Sequence, residues 1–496
     1  MKYDVVIIGG GLGGLECGYM LAKKGLSVCI VEKNARTGGC LQNFTRNGHI
    51  FDTGFHYVGG LAEGQPLNKI FSALGLLDLP WKQLDTDCFD EVIFNGERYR
   101  FANGYDNFTE TLLHDCEKNG HTINAKAQSG LKEYANLLKE IGETTFDRLN
   151  KKSLEHLAAE SYFSKPIYQY LKETIYNELL IGILGGTSLK MELEEKTLPL
   201  YTFSQINSSF VQSAWRLRGG GEQIATTMAA KIEGMGGKVL TRLEVTRIVE
   251  KDGKAEAVEI GAGEYIEGKA FISNLHPALT LSLINRENSS IKNIFRRRIC
   301  NLENTFGMFT VNLALKAGRV PYLNRNIFIN KNTDTVWNKN GERENFENRS
   351  LMVSFQVPEN EAVHTDNIDI LMPMYWNEVS KWEGTKLFRR GEEYEDFKAK
   401  TAEICIRRVE EYLPDLKGTI EGTFTSTPLT YRDYTGTING SAYGIRKDYS
   451  RAMLTVLSPT TPLQNLFLTG QNLNLHGILG VSMTALMTSA IVEGSF

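Results

Sequence analysis

Val5-Val6-Ile7-Ile8-Gly9-Gly10-Gly11-Leu12-Gly13-Gly14 is an apolar run that breaks into glycine and continues as a helix-compatible segment, Leu15 to Lys24. The pattern predicts strand, tight turn and helix; Gly25 stops the helix, and Val28 to Val31 supplies a second apolar strand, completing a βαβ unit. Gly9, Gly11 and Gly14 satisfy G-x-G-x-x-G immediately after a strand and at the opening of a helix, the context that gives the motif meaning. The first glycine permits the tight turn, the second lets backbone approach a pyrophosphate, and the third allows close helix-to-strand packing. The helix N-terminus attracts the anion, with Leu12 of the glycine turn beside it. Glu32 closes the second strand 18 residues after Gly14 (32 − 14), where a carboxylate accepts the two hydroxyls of a ribose. The same carboxylate would repel a 2′-phosphate, so an unphosphorylated dinucleotide is expected.

The next segment, Glu32-Lys33-Asn34-Ala35-Arg36-Thr37-Gly38-Gly39-Cys40, distinguishes FAD from NAD. Lys33 flanks the ribose position. Arg36 and the paired glycines are placed to meet the pyrophosphate and ribityl chain, a continuation that NAD-only folds lack. Cys40 follows Gly39 directly; it is read either as a small buried thiol or as a group approaching the flavin.

Composition narrows the partners. The 496 residues are 42% apolar, enough for about three domains. Lysine plus arginine (55) against aspartate plus glutamate (59) gives a net charge of -4 and no basic field for nucleic acid. The seven scattered cysteines form no C-x-x-C pair and fit reduced thiols in a cytoplasm, and no metal site is expected. A strand that starts almost at Met1 argues against a cleaved leader. No apolar run reaches 18 residues, which leaves peripheral membrane contact open.

Farther along, Phe89 to Phe101 reads as two strands joined at Asn95-Gly96. Asn107 to Ile183 is mostly helical, with a polar stretch at Lys118 to Ser129. Within it, Ile167, Tyr170, Leu171, Ile175 and Leu179 form a stripe on one expected helix from Ser164 to Leu184, read as core or as a lipid-facing entrance. Strands are expected at 305–316, 350–357 and 368–376, a helix at Glu392 to Tyr412, and a last strand at Asn465 to Leu468 before a helix near Val481 to Val492. The fold class is therefore α/β, and α+β overall. Residues 1–80, 212–275 and 456–496 are expected to build a discontinuous Rossmann-type FAD-binding domain. Residues 81–211 and 276–455 are expected to build a substrate domain of mixed or antiparallel sheet with a helical cap.

The Glu32 to Gly39 extension resembles that of the amine oxidase and phytoene desaturase superfamily of FAD enzymes. Phe51 to Gly59, Ser441 to Gly444 and Asn465 to Gln471 are similar to the retinol saturase and carotenoid isomerase branch. The resemblance implies that Arg218 to Gly221 and the strand at Val245 close over FAD, Val245 by a backbone contact beside the adenine. It places Gly54 and His56 in a flavin-facing loop, with Gly470 and Gln471 at the ribityl or phosphate region. It also implies that Gly477 to Val481, including Gly480, presents a helix N-terminus to the flavin pyrimidine, stabilising the anionic reduced form. Many superfamily members carry an acid where this chain has Gln471.

His56 is the first candidate proton donor, and a histidine packed against backbone is the alternative. Tyr57 would point away if the segment is extended. His476 and Tyr434 are the other candidates; Tyr434 clusters with Tyr431 and Tyr443, read as lining of an apolar tunnel or, the commoner role of such tyrosines, as packing. No second G-x-G-x-x-G exists, so NAD(P)H, if used, acts as an external reductant. Three functions follow: an FAD-dependent oxidoreductase acting on carbon-carbon double bonds of an apolar, isoprenoid or polyene substrate, as saturase, desaturase or isomerase; a flavin amine oxidase; or a non-catalytic escort of prenylated proteins, against which the intact cofactor motif argues.

Overall fold

The computed structural model describes residues 2–149, 162–261, 263–287, 289–338, 345–359 and 363–496. The apolar run at the N-terminus forms the strand Lys2–Ile8, and the helix Leu12–Lys23 begins directly after Gly11. Lys2–Ile8 is the centre of a sheet whose order is Lys238–Leu240, Val28–Val31, Lys2–Ile8, Glu264–Ser273, Lys254–Ile260, Val245–Lys251. The pairings among the first four strands are parallel. Leu466–Leu468 adds a further strand parallel to Glu264–Ser273. Val5 to Ile8 and Val28–Val31 are covered on both faces, which is why they read as unbroken apolar runs rather than alternating ones.

Gly14 shows why the third glycine of the motif is needed: a Cβ there would stand 2.2 Å from the Gly9 carbonyl oxygen. The helix Gly477–Glu493 lies against Leu12–Lys23. It starts four residues earlier than its periodicity suggests, because Gly477 to Gly480 is itself helical. Glu16 is completely buried between these two helices, accepting 2.6 Å from Ser482 Oγ.

The second sheet has the order Ile420–Ser426, Gly307–Leu315, Asn367–Met374, Leu351–Phe355, Asn326–Asn330, Asp90–Phe94, Glu97–Phe101. It is antiparallel except between Asn326–Asn330 and Asp90–Phe94. Glu392–Glu410 packs on one face. The other face meets a helical group: Tyr105–Lys118, Ala125–Leu149, Ile167–Ile175, Glu178–Leu184 and Leu200–Gln212. The part of the expected cap at 150–161 lies outside the described residues. The single helix expected from Ser164 to Leu184 is two, broken at Tyr176 with φ +53°. Its apolar stripe faces inward: Ile167, Leu171 and Ile175 are fully buried, with Tyr170 and Leu179 packed against them, so it is core and not an entrance. No described helix is long and apolar enough to cross a membrane.

Candidate active site

A cavity of about 580 Å3 runs from the first glycine turn to the space between the two sheets. Gly9, Gly11, Leu12, Glu32, Lys33 and Val245 line one end; Gly39, Cys40, Gly54, Gly470, Gln471 and Val481 line the middle. His56, Tyr57, Lys190, Phe210, Tyr443 and His476 line the other end, with the apolar side chains of Met308, Met352 and Leu371.

At the first end, Glu32 is held rigidly: Oε2 accepts from Gly10 N at 2.8 Å and Oε1 from Asn34 N at 2.8 Å. The first-turn N–H groups of Leu12–Lys23 have no partners inside the helix and point toward the same space. Gly470, at φ +94°, lets the chain turn sharply beside Asn274; a Cβ would approach Asn274 Oδ1 to 2.6 Å. Cys40 is a thiol rather than a thiolate, since burial pushes it up to about 11.

Four expectations are corrected here. Arg36 does not line the cavity; its guanidinium makes a two-pronged contact with Glu222 at 2.7 and 2.9 Å and donates to the Asn43 carbonyl. One guanidinium nitrogen, Nη1, is shared between the two Glu222 oxygens and the other, Nη2, is taken by the Asn43 carbonyl. Arg218 to Gly221 also stays outside, braced from behind by Asp52, whose Oδ1 accepts from Gly221 N at 2.8 Å. Gly480 packs the last helix against the Leu475 carbonyl, which a Cβ would meet at 2.5 Å, while its neighbours Leu479 and Val481 reach the cavity. Tyr434 sits at the rim, 43% exposed, with its carbonyl holding Asn34 Nδ2 beside the ribose end. A side chain so open to water is poorly placed to deliver a proton in a sheltered site.

His56 lies in the cavity wall with its two nitrogens just beneath the surface, and neither has a hydrogen-bond partner among the described residues. Burial, reinforced by the Arg216 charge, pushes it down to about 4, so the ring is neutral at pH 7. Its 3.7 Å approach to Asp369 is therefore not an ion pair at that pH. Tyr57 also lines the cavity. The strand stops at Asp52 and restarts at Val58, so the alternation expected of an extended segment does not apply. Its hydroxyl donates to Asp90 Oδ2 at 3.0 Å, and burial raises it well above the usual tyrosine range.

His476 caps the helix Gly477–Glu493. Its ring lies 4.3 Å from that of Tyr443, and its Nε2 donates to the Lys190 carbonyl at 3.0 Å. Burial pushes it down to about 4, so it is a neutral ring holding backbone in place. The helix start behind it presents a positive dipole end to the cavity. Tyr431 is half-buried, with its hydroxyl at 3.0 Å from Thr310 Oγ1 and 3.2 Å from the Thr53 carbonyl.

Lys190 escaped the sequence reading. Its ammonium is 2.7 Å from Asp90 Oδ2, almost wholly buried, and lies 4.4 Å from the Phe210 ring centroid and 5.6 Å from that of Tyr57. Burial lowers it and the Asp90 charge raises it. A lone lysine among apolar and small residues from Leu179 to Met191 was the available signal.

The profile of the flavin-containing amine oxidoreductases matches residues 12–303, more than half of the chain. The chain belongs to that family. FAD is this oxidoreductase's cofactor. The family member is 25% identical to a human protein named all-trans-retinol 13,14-reductase, over 99% of this chain and 85% of the relative. It is 23% identical to prolycopene isomerase 2 of an Oncidium hybrid cultivar, over 98% and 83%. Its fold is similar to that of a putrescine oxidase, with TM-score 0.63, 16% identity and coverage of 100% and 99%. The residues present fit FAD: the glycine turn and Glu32 suit the nucleotide, and the unpartnered buried His56 nitrogens and the second helix start lie at the far end.

Proposed function

We propose that this enzyme reduces a carbon-carbon double bond in an apolar, conjugated isoprenoid. The observation that carries the reading is the continuity of one cavity from the nucleotide cradle to a stretch walled by Met308, Met352 and Leu371, with a neutral histidine in its wall. Retinol and prolycopene, named in the relatives, are both conjugated isoprenoids.

Bound FAD supplies hydride chemistry, which no side chain can. The chain's own residues supply the rest. Glu32 and the first helix fix the nucleotide end. The dipole of Gly477–Glu493 favours negative charge at the far end. The apolar walls orient a flat polyene and exclude water. His56 is the proton source for the carbon that does not take hydride.

The amine oxidase reading is disfavoured by Lys190: the aromatic enclosure of Phe210 and Tyr57 is already filled by an ammonium of the chain itself. A cationic substrate would meet like charge there. The test is anaerobic. The FAD-loaded protein is reduced, a conjugated polyene is added, and flavin reoxidation is followed together with loss of one double bond from the polyene's absorbance. Reoxidation with a shortened chromophore is expected. No response to polyenes, combined with peroxide release from amines in air, would overturn the proposal.

A further inference from the structure

Behind the cavity wall, His56, Asp369 and Asp52 converge from segments more than 300 residues apart. Asp369 Oδ2 lies 3.7 Å from His56 Nδ1, and its Oδ1 accepts from Asn312 Nδ2 at 2.6 Å. Asp52 Oδ2 accepts from Gln356 Nε2 at 3.0 Å, an amide close enough to Asp369 to oppose the rise in its pKa. Both acids are buried, at 3% and 1% exposure. Among the described residues neither is in an ion pair with a lysine or arginine. Arg216 is the cation whose charge reaches Asp369, but its guanidinium is taken by the Leu323 and Arg325 carbonyls and Asn326.

Two neighbouring buried carboxyls cannot both be ionised cheaply. Burial pushes Asp369 up to about 7, with the Asp52 charge adding to it, and burial pushes Asp52 up to about 6. The other groups acting on the pair are Glu222, which raises Asp52, His56, and Tyr431, whose own pKa is raised partly by Asp369. The neutral histidine in front needs one donor and one acceptor partner and has neither. Moving the ring by about 1 Å would bring Nδ1 into hydrogen-bond range of Asp369.

We propose that Asp369 is a positioning residue that holds a transferable proton against His56 Nδ1, fixing the Nε2–H tautomer and replacing that proton when it is given up. The inference rests on the reductive reading above, and the proton step balances as follows. The Nε2–H bond breaks as the new C–H bond forms, and the Asp369 O–H bond breaks as Nδ1–H forms. Both electrons that reduce the double bond arrive as hydride from reduced flavin at the neighbouring carbon. Asp369 is left as a carboxylate and His56 as a neutral ring protonated on Nδ1; a solvent proton then adds to Nε2 as the Nδ1 proton returns to Asp369, which restores both groups.

Two measurements on the FAD-loaded protein test this. The first needs no substrate: infrared difference spectra between pH 5 and pH 9, in H2O and D2O. A deuterium-sensitive carboxylic acid band with a midpoint near 7 is expected, beside the separate bands of Asp52 near 6 and Glu16 near 8. That band should vanish in Asp369→Asn and persist in Asp52→Asn with a lower midpoint, since the neighbouring charge is gone. The second is single-turnover polyene reduction. Asp369→Asn, which can still accept from Asn312, is expected to slow it by about 100-fold and to lose the dependence on pH near 7. Absence of the band in the wild type, its survival in Asp369→Asn, or an unchanged turnover rate would each overturn the proposal. If the wild type reduces no polyene, the functional reading above fails, and the infrared band alone decides whether Asp369 holds the proton.

Discussion

The two ends of the cavity are built in different ways. The nucleotide end comes mainly from one contiguous stretch, Val5 to Cys40, in which strand, turn, helix and acid follow each other at fixed spacing. The far end is assembled from His56, Lys190, Asp369, Tyr431 and His476, brought together by two sheets and a helical layer. A motif of local geometry can be read before folding is known, whereas a cluster whose members lie hundreds of residues apart exists only once the sheets have formed.

The comparison breaks most visibly at Gly14. Gly14→Val drives a branched side chain into the Gly9 carbonyl and is expected to cost about 3 kcal/mol or more, with loss of bound flavin. Thermal melting together with flavin absorbance checks this; a folded, yellow variant would show that the turn tolerates what its geometry forbids.

A division of labour between the ends predicts opposite phenotypes for the next two changes. Glu32→Ala leaves the Gly10 and Asn34 N–H groups unpaired and removes the ribose acceptor. FAD affinity should fall by roughly 10- to 100-fold, read by titrating flavin fluorescence. His56→Gln should leave FAD affinity within about twofold while slowing single-turnover reduction by roughly 100-fold. If His56→Gln releases flavin, or Glu32→Ala slows chemistry in flavin-saturated protein, the division between the two ends fails.

Glu16 sharpens the contrast, because it lies inside the legible stretch yet its partner does not. Burial pushes it up to about 8 from 4.5, with Ser482 opposing the shift. A group raised on folding contributes stability that is complete below about pH 4.5 and is lost as pH rises through about 8. Between those limits the wild type should weaken with rising pH by a few kcal/mol. Glu16→Gln, neutral throughout, should show a flatter profile in urea unfolding from pH 5 to pH 9. Parallel profiles would contradict a protonated buried Glu16.

The smallest effects are expected at Arg36 and Tyr434. Arg36→Ala and Tyr434→Phe should change FAD affinity and turnover by less than about threefold, since one residue is occupied by Glu222 and the other stands in water.

These last two residues also mark where sequence legibility ends. Strand, glycine turn and Glu32 were readable because each is defined by its immediate neighbours. Arg36 was misplaced because its partner, Glu222, arrives from a helix 186 positions away. The helix expected from Ser164 to Leu184 missed the break at Tyr176, where nothing local signals a positive φ. Lys190 and Asp369 were missed because a buried charge is defined by the walls around it, and those walls come from the whole second sheet. His56 was found through its position after Gly54, but its isolation from any hydrogen-bond partner was visible only in three dimensions.

The most direct test of the account is the flavin content of the purified protein. Denaturation should release FAD, not FMN, at about one equivalent per chain, and the apoprotein should recover its yellow colour when FAD is added. A colourless protein that takes up no added FAD would contradict the reading of the Gly9 to Glu32 cradle and everything built on it.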